Sequence, residues 1–104
     1  MKTPDFLAEL KYLSEGGRKS YALSGYRPQL KFHFSELQTS GEQKFINKKK
    51  VYPGDNVIAE LTLASPQFFY GMLKINMSFE FREGDTIIGT GEIVDIFNKL
   101  LLHE

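Results

Sequence analysis

Two histidines, His33 and His103, are the only imidazoles in the chain, and the sequence holds no cysteine. His33 falls on the polar side of an alternating run and His103 lies close to the last residue. Neither stands at ligand spacing from a second metal donor. Disulfide and thiolate chemistry are excluded by composition, a pattern that fits a reducing compartment. Glu83 and Asp85 flank Gly84; two carboxylates around a turn glycine are the ordinary furniture of a solvated hairpin before they are an acid–base pair. Gly16-Gly17-Arg18-Lys19-Ser20 has the ending of a phosphate-binding loop, but Arg18 stands where that motif needs glycine and no helical pattern follows. Lys48-Lys49-Lys50 could touch phosphate. Thirteen basic residues balance thirteen acidic ones, which favours a solvated loop or guarded edge there and speaks against strong non-specific nucleic-acid binding. With no nucleophile–base pair, acid–base pair or metal cluster in view, the residues point to a non-enzymatic protein without a cofactor, metal or bound nucleotide.

The elements that would carry these residues are strands. Leu73-Lys74-Ile75-Asn76-Met77-Ser78-Phe79-Glu80-Phe81 alternates strictly, with Leu73, Ile75, Met77, Phe79 and Phe81 on one face. Arg82-Glu83-Gly84-Asp85 breaks the run, and Thr86–Phe97 resumes it with β-branched residues, so residues 73–97 are expected to form one hairpin with an apolar face. The same period marks Phe6–Leu13, Leu30–Ser35 and Val57–Leu63, with a short strand over Glu42–Asn47. Tyr21–Gln29 reads as irregular. Gln38-Thr39-Ser40-Gly41 and Tyr52-Pro53-Gly54-Asp55-Asn56 read as turns, and Asn98–Glu104 as a short tail that forms one helical turn or frays. Six strands without a long helix predict an all-β sandwich or small closed barrel, built as a single domain over residues 1–104, with the barrel at about 5–97 and the tail at 98–104. No signal peptide or membrane-length apolar run is seen, so a cytoplasmic protein is expected.

Four motifs, Glu15-Gly16-Gly17-Arg18, Gly25-Tyr26-Arg27-Pro28-Gln29, Pro53-Gly54-Asp55-Asn56 and Arg82-Glu83-Gly84, follow one another in an order and spacing that resembles the C-terminal β-barrel domain of elongation factor Tu. The closing Gly89-Thr90-Gly91-Glu92-Ile93-Val94 is similar to that family's Gly-x-Gly before a β-branched strand, and the resemblance runs from about Phe6 to Phe97. It implies a six-stranded closed antiparallel Greek-key β-barrel with no catalytic role. Such a domain packs on a GTP-binding domain, helps hold aminoacyl-tRNA and contacts a nucleotide-exchange partner. By position, the resemblance implies RNA contacts at Arg18, Lys19, Gln29 and Ser40, with Gly89 and Gly91 near the RNA backbone.

The chain also departs from the family pattern. Lys19 stands where the family carries histidine, Lys48-Lys49-Lys50 is more basic than its counterpart, Phe68–Asn76 is longer, and the tail runs past the usual end. No GTP-binding segment is present in this sequence. Phe68, Phe69 and Tyr70 therefore carry two readings: an exposed protein-interaction or self-association patch that could support a homo-oligomer, or core folded over a barrel end. The expected partner is tRNA or a translation factor; the alternative is a protein-interaction module that has lost RNA binding.

Overall fold

The computed structural model describes residues 3–104. Its strands are β1 (Phe6–Tyr12), β2 (Ala22–Leu23), β3 (Gln29–Phe32), β4 (Gln38–Phe45), β5 (Lys50–Val51), β6 (Asn56–Leu63), β7 (Ser78–Glu83) and β8 (Thr86–Ile96). Six of them close a barrel in the order β1-β6-β4-β3-β7-β8, every neighbouring pair antiparallel, while β2 and β5 form a separate two-stranded ribbon. β3, β4 and β6 are consecutive neighbours in the wall and β1 returns to lie beside β6, which is a Greek key. Closure leaves the barrel no free edge.

The alternation seen in the sequence becomes the inside and outside of this wall. Phe6, Ala8, Leu10 and Tyr12 of β1 are buried, as are Val57, Ala59, Leu61 and Leu63 of β6. Aromatic rings fill the middle: Phe79 lies 5.7 Å from Phe6 and 5.5 Å from Phe32, and Phe81 lies 5.0 Å from Tyr12, each ring packed at an angle to its neighbour. Polar groups share this interior, Thr39 and Gln43 among them. Tyr12 donates its hydroxyl proton to Gln43 Oε1 at 2.5 Å, and Gln43 Nε2 is buried without a hydrogen-bond partner.

The hairpin begins later than its pattern suggests. Strand pairing starts at Ser78, not Leu73, because Asn76 adopts φ 73° and the Met77 amide bonds back to the Lys74 carbonyl, turning the chain. Ile75 is thereby half exposed, although its neighbours in the pattern, Leu73, Phe79 and Phe81, are buried. Leu73 instead makes a parallel bridge to Leu102. The segment expected as a turn at Gln38–Gly41 is the first half of β4, and Tyr21–Gln29 contains the short strand β2.

The lower end of the barrel is stoppered. A 3-10 turn at Pro66–Phe69 drops Phe69 onto Phe32 at 5.0 Å, and a second at Lys99–Leu101 buries Leu101 beside it, so the tail forms one helical turn. Asp5 ties this end together. Its carboxylate accepts the Leu63 amide at 2.7 Å and the Asn98 side-chain amide at 2.9 Å, while its carbonyl accepts the Phe97 and Asn98 amides.

Candidate nucleic-acid interface

The loop after β1 is laid against β8. The Leu13 amide bonds to the Ile88 carbonyl at 2.9 Å, and a methyl group at Gly17 would lie 3.0 Å from that carbonyl oxygen, so any side chain here would push the loop and β8 slightly apart. Arg18 follows directly and reaches the tip of the β7–β8 hairpin. Its Nη1 donates to Glu83 Oε2 at 2.5 Å, Nη2 donates to the Tyr21 carbonyl at 3.2 Å, and the guanidinium sits 4.8 Å above the Tyr26 ring. Tyr26 donates its hydroxyl proton to the same Glu83 oxygen. That hydrogen bond, with Arg18 after it, holds the Glu83 carboxyl below the usual carboxylate range in spite of partial burial. Burial, reinforced by Glu83, pushes the Tyr26 phenol up, so it remains a donor at neutral pH. Arg18 is thus a fixed cation with a quarter of its side chain exposed. Lys19 beside it is exposed and makes no ion pair among the described residues.

Strand register extends this cluster sideways. Gln29 opens β3 directly opposite Arg82 on one side and Ser40 on the other. Gln29 is exposed, Ser40 and Arg82 partly so, and Arg82 Nε donates to Glu80 Oε2 at 3.1 Å on the next rung outward from the turn. Register thus runs a row of Arg82, Gln29 and Ser40 across β7, β3 and β4, while the Arg18–Lys19 loop meets the hairpin tip from the β8 side; Ser40, three strands from β8, stands farthest from that loop. Glu83 belongs with the loop. Its place was hidden in the sequence because the partner that defines it lies 65 positions away.

Gly89 and Gly91 do not belong to this face. Both are buried, and their missing side chains point into the barrel. The atoms nearest a Cβ on Gly91 would be those of the Phe79 ring, with Cε2 at 2.7 Å and Cε1 at 2.8 Å; one on Gly89 would strike the Phe81 ring and the Lys11 carbonyl. Packing of two phenyl rings accounts for both glycines without RNA. For Phe69, the reading as an exposed patch is corrected. As the stopper of the barrel end it is fully buried, whereas Phe68 and Tyr70 on either side are exposed.

Residues 2–97 match the family model of the elongation factor Tu C-terminal domain. The chain belongs to that family. The closed antiparallel barrel is the fold of the elongation factor Tu C-terminal domain, and that domain is non-catalytic. The family match supports a translation-factor-like module. A groove of about 390 Å³ on the outer wall mixes Glu9, Glu80 and Glu92 with Lys11, Lys31, His33 and Ser78. Among the described residues no three His, Cys, Asp or Glu side chains converge as a metal site would require, and no helix is long and apolar enough to cross a membrane.

Proposed function

We propose that this elongation factor Tu C-terminal domain is a non-catalytic binding module of the cytoplasm that holds structured RNA of the tRNA type. The face is that of Arg18, Lys19, Gln29 and Ser40. The observation that supports this reading is what flanks one hairpin tip: the loop brings a fixed arginine and a lysine without an ion pair to it from the β8 side, and register sets Gln29, with Ser40 beyond it, on the β7 side. Double-stranded RNA is recognised by shape, phosphates and 2′-hydroxyl groups, for which a few positioned donors suffice. Glu83 contributes by holding Arg18 at a set height and by repelling phosphate from the hairpin tip, which confines an RNA backbone to the Lys19–Gln29 side.

The test is binding of labelled tRNA at 50 and 200 mM salt. Lys19→Ala and Gln29→Ala leave the barrel untouched and are expected to weaken binding, the lysine change also flattening the salt dependence by about one ion. Absence of binding at the lower salt ends this reading.

A second reading has its own observation. Phe68, Tyr70, Met72 and Leu100 are all exposed around the stoppered end, an apolar rim of the kind that marks protein contacts. In this reading the domain docks a translation protein or a second copy of itself there. Light scattering of the purified chain with and without Phe68→Ser decides it; a monomer indifferent to the substitution removes the self-association form.

A further inference from the structure

The β2–β5 ribbon stands outside the barrel and is not part of the face just described. Its register sets Ala22 against Val51 and Leu23 against Lys50. Ala22 and Val51 are buried against the barrel, so alternation turns Tyr21, Leu23, Lys50 and Tyr52 outward. The two tyrosine rings lie 5.7 Å apart, and Lys50 Nζ sits 4.8 Å from the Tyr21 ring centre and 6.0 Å from that of Tyr52. Tyr21 is 42% and Tyr52 49% exposed. Lys48 and Lys49 precede them on the surface, and among the described residues none of Lys48, Lys49 and Lys50 forms an ion pair. The ribbon borders an open concavity of about 590 Å³ that runs from Arg18 past Tyr21 and Leu23 to Tyr26.

We infer that the outward face of this ribbon binds an unpaired RNA strand. Two exposed aromatic rings, 5.7 Å apart and inclined at 57°, each offer a base a surface to stack on, and three adjacent lysines without ion pairs offer the phosphates a track. This pairing of cations with rings is what sequence-tolerant single-strand binding uses. An acidic protein segment would satisfy the lysines but leave the rings without partners. The chain's zero net charge is no obstacle, since Lys48, Lys49 and Lys50 are consecutive in the sequence. The inference does not rest on the tRNA-face reading, because none of its rings and lysines belongs to that face.

The experiment uses the intact chain and a labelled ten-nucleotide uridine strand, read by anisotropy. With three phosphates neutralised, affinity is expected to fall about twentyfold between 50 and 200 mM salt, and only about threefold in the Lys48→Ala/Lys49→Ala variant. Tyr52→Ala is expected to weaken binding about tenfold. Tyr52→Trp places one tryptophan in a chain that has none, and its fluorescence should be quenched as the strand saturates. A salt dependence unchanged by the lysine pair, or no quenching at saturation, overturns the inference, as does equal binding of polyglutamate. Lys19→Ala and Gln29→Ala should leave uridine-strand binding intact, so a failure of the tRNA face and a failure of the ribbon are read separately.

Discussion

Replacing Gly91 with alanine tests whether the glycines of β8 serve the barrel or a ligand. The new methyl would stand inside the Phe79 ring, within 2.7 Å of Cε2 and 2.8 Å of Cε1. The ring cannot swing aside, because Phe6 at 5.7 Å and Phe32 at 5.5 Å hold it from two directions. Overpacking of this kind costs about 1–3 kcal/mol. For a domain of this size that lowers the melting midpoint by roughly 5–15 °C. Phe79→Leu alone removes ring volume and should cost about 1–2 kcal/mol. Since the three nearest neighbours of the added methyl all belong to Phe79, the double variant should be no worse than Phe79→Leu alone, a coupling equal to the whole Gly91→Ala cost of about 1–3 kcal/mol. Gly89 supplies the control. Its added methyl would strike the Lys11 backbone carbonyl as well as Phe81, so Phe81→Leu should not rescue Gly89→Ala. Urea unfolding with an unchanged m-value measures all of these. Additive costs for Gly91→Ala and Phe79→Leu, or a stable Gly91→Ala protein that loses tRNA binding alone, would refute the packing argument.

Glu83→Gln should alter acid stability in a defined direction. Because the folded carboxyl lies below its ordinary value of 4.5, its contribution is complete above that pH and is lost as pH falls through the depressed folded value. Below pH 5 the native chain should therefore lose stability more steeply than the glutamine variant, by up to about 1 kcal/mol for so exposed a pair, as read from urea midpoints across pH 2.5–7. Leu101→Ala removes the side chain that stoppers the barrel beside Phe69 and should cost about 2–4 kcal/mol, whereas Leu100→Ala, on the exposed side of the same turn, should cost under about 0.5 kcal/mol. Asp5→Ala deletes a carboxylate that accepts two amide hydrogen bonds and should cost about 2–4 kcal/mol in the same assay, most of it rescued by Asn for the contact to the Leu63 amide.

Strands whose two faces differ could be read directly. β1 and β6 keep strict alternation because one side meets the core and the other meets water, and both lie where the pattern puts them. The first half of β4 was illegible, although a short strand over its second half was expected. Inward positions Thr39, Gly41 and Gln43, which precede Phe45, are residues that signal turns or surfaces, and pairing with β3 and β6 overrides that local preference. Gly41 is small there because the Leu30 side chain occupies the space a larger residue would need. Strict alternation over Leu73–Met77 misled for the opposite reason: apolar spacing is indifferent to a left-handed Asn76, and the tail captures Leu73 instead of a sheet. For the candidate face, the family resemblance nominated Arg18, Lys19, Gln29 and Ser40, but the Glu83–Tyr26 clasp on Arg18 exists only once distant segments meet. For Gly89 and Gly91 the sequence permitted a close approach without saying what approaches; phenyl rings do.

β1 is paired on one side with β6 and on the other with β8, the strand that ends at Ile96. Within these residues β1 leaves the ribosome well before β8, so one of its two neighbours is always late. Until β8 arrives, Phe6, Ala8, Leu10 and Tyr12 can pair with β6 alone, in a wall that cannot yet close. The barrel therefore assembles late and all at once, on the millisecond-to-second scale typical of strands joined across long loops, and its window of exposure to chaperones and to aggregation is set by the rate of elongation.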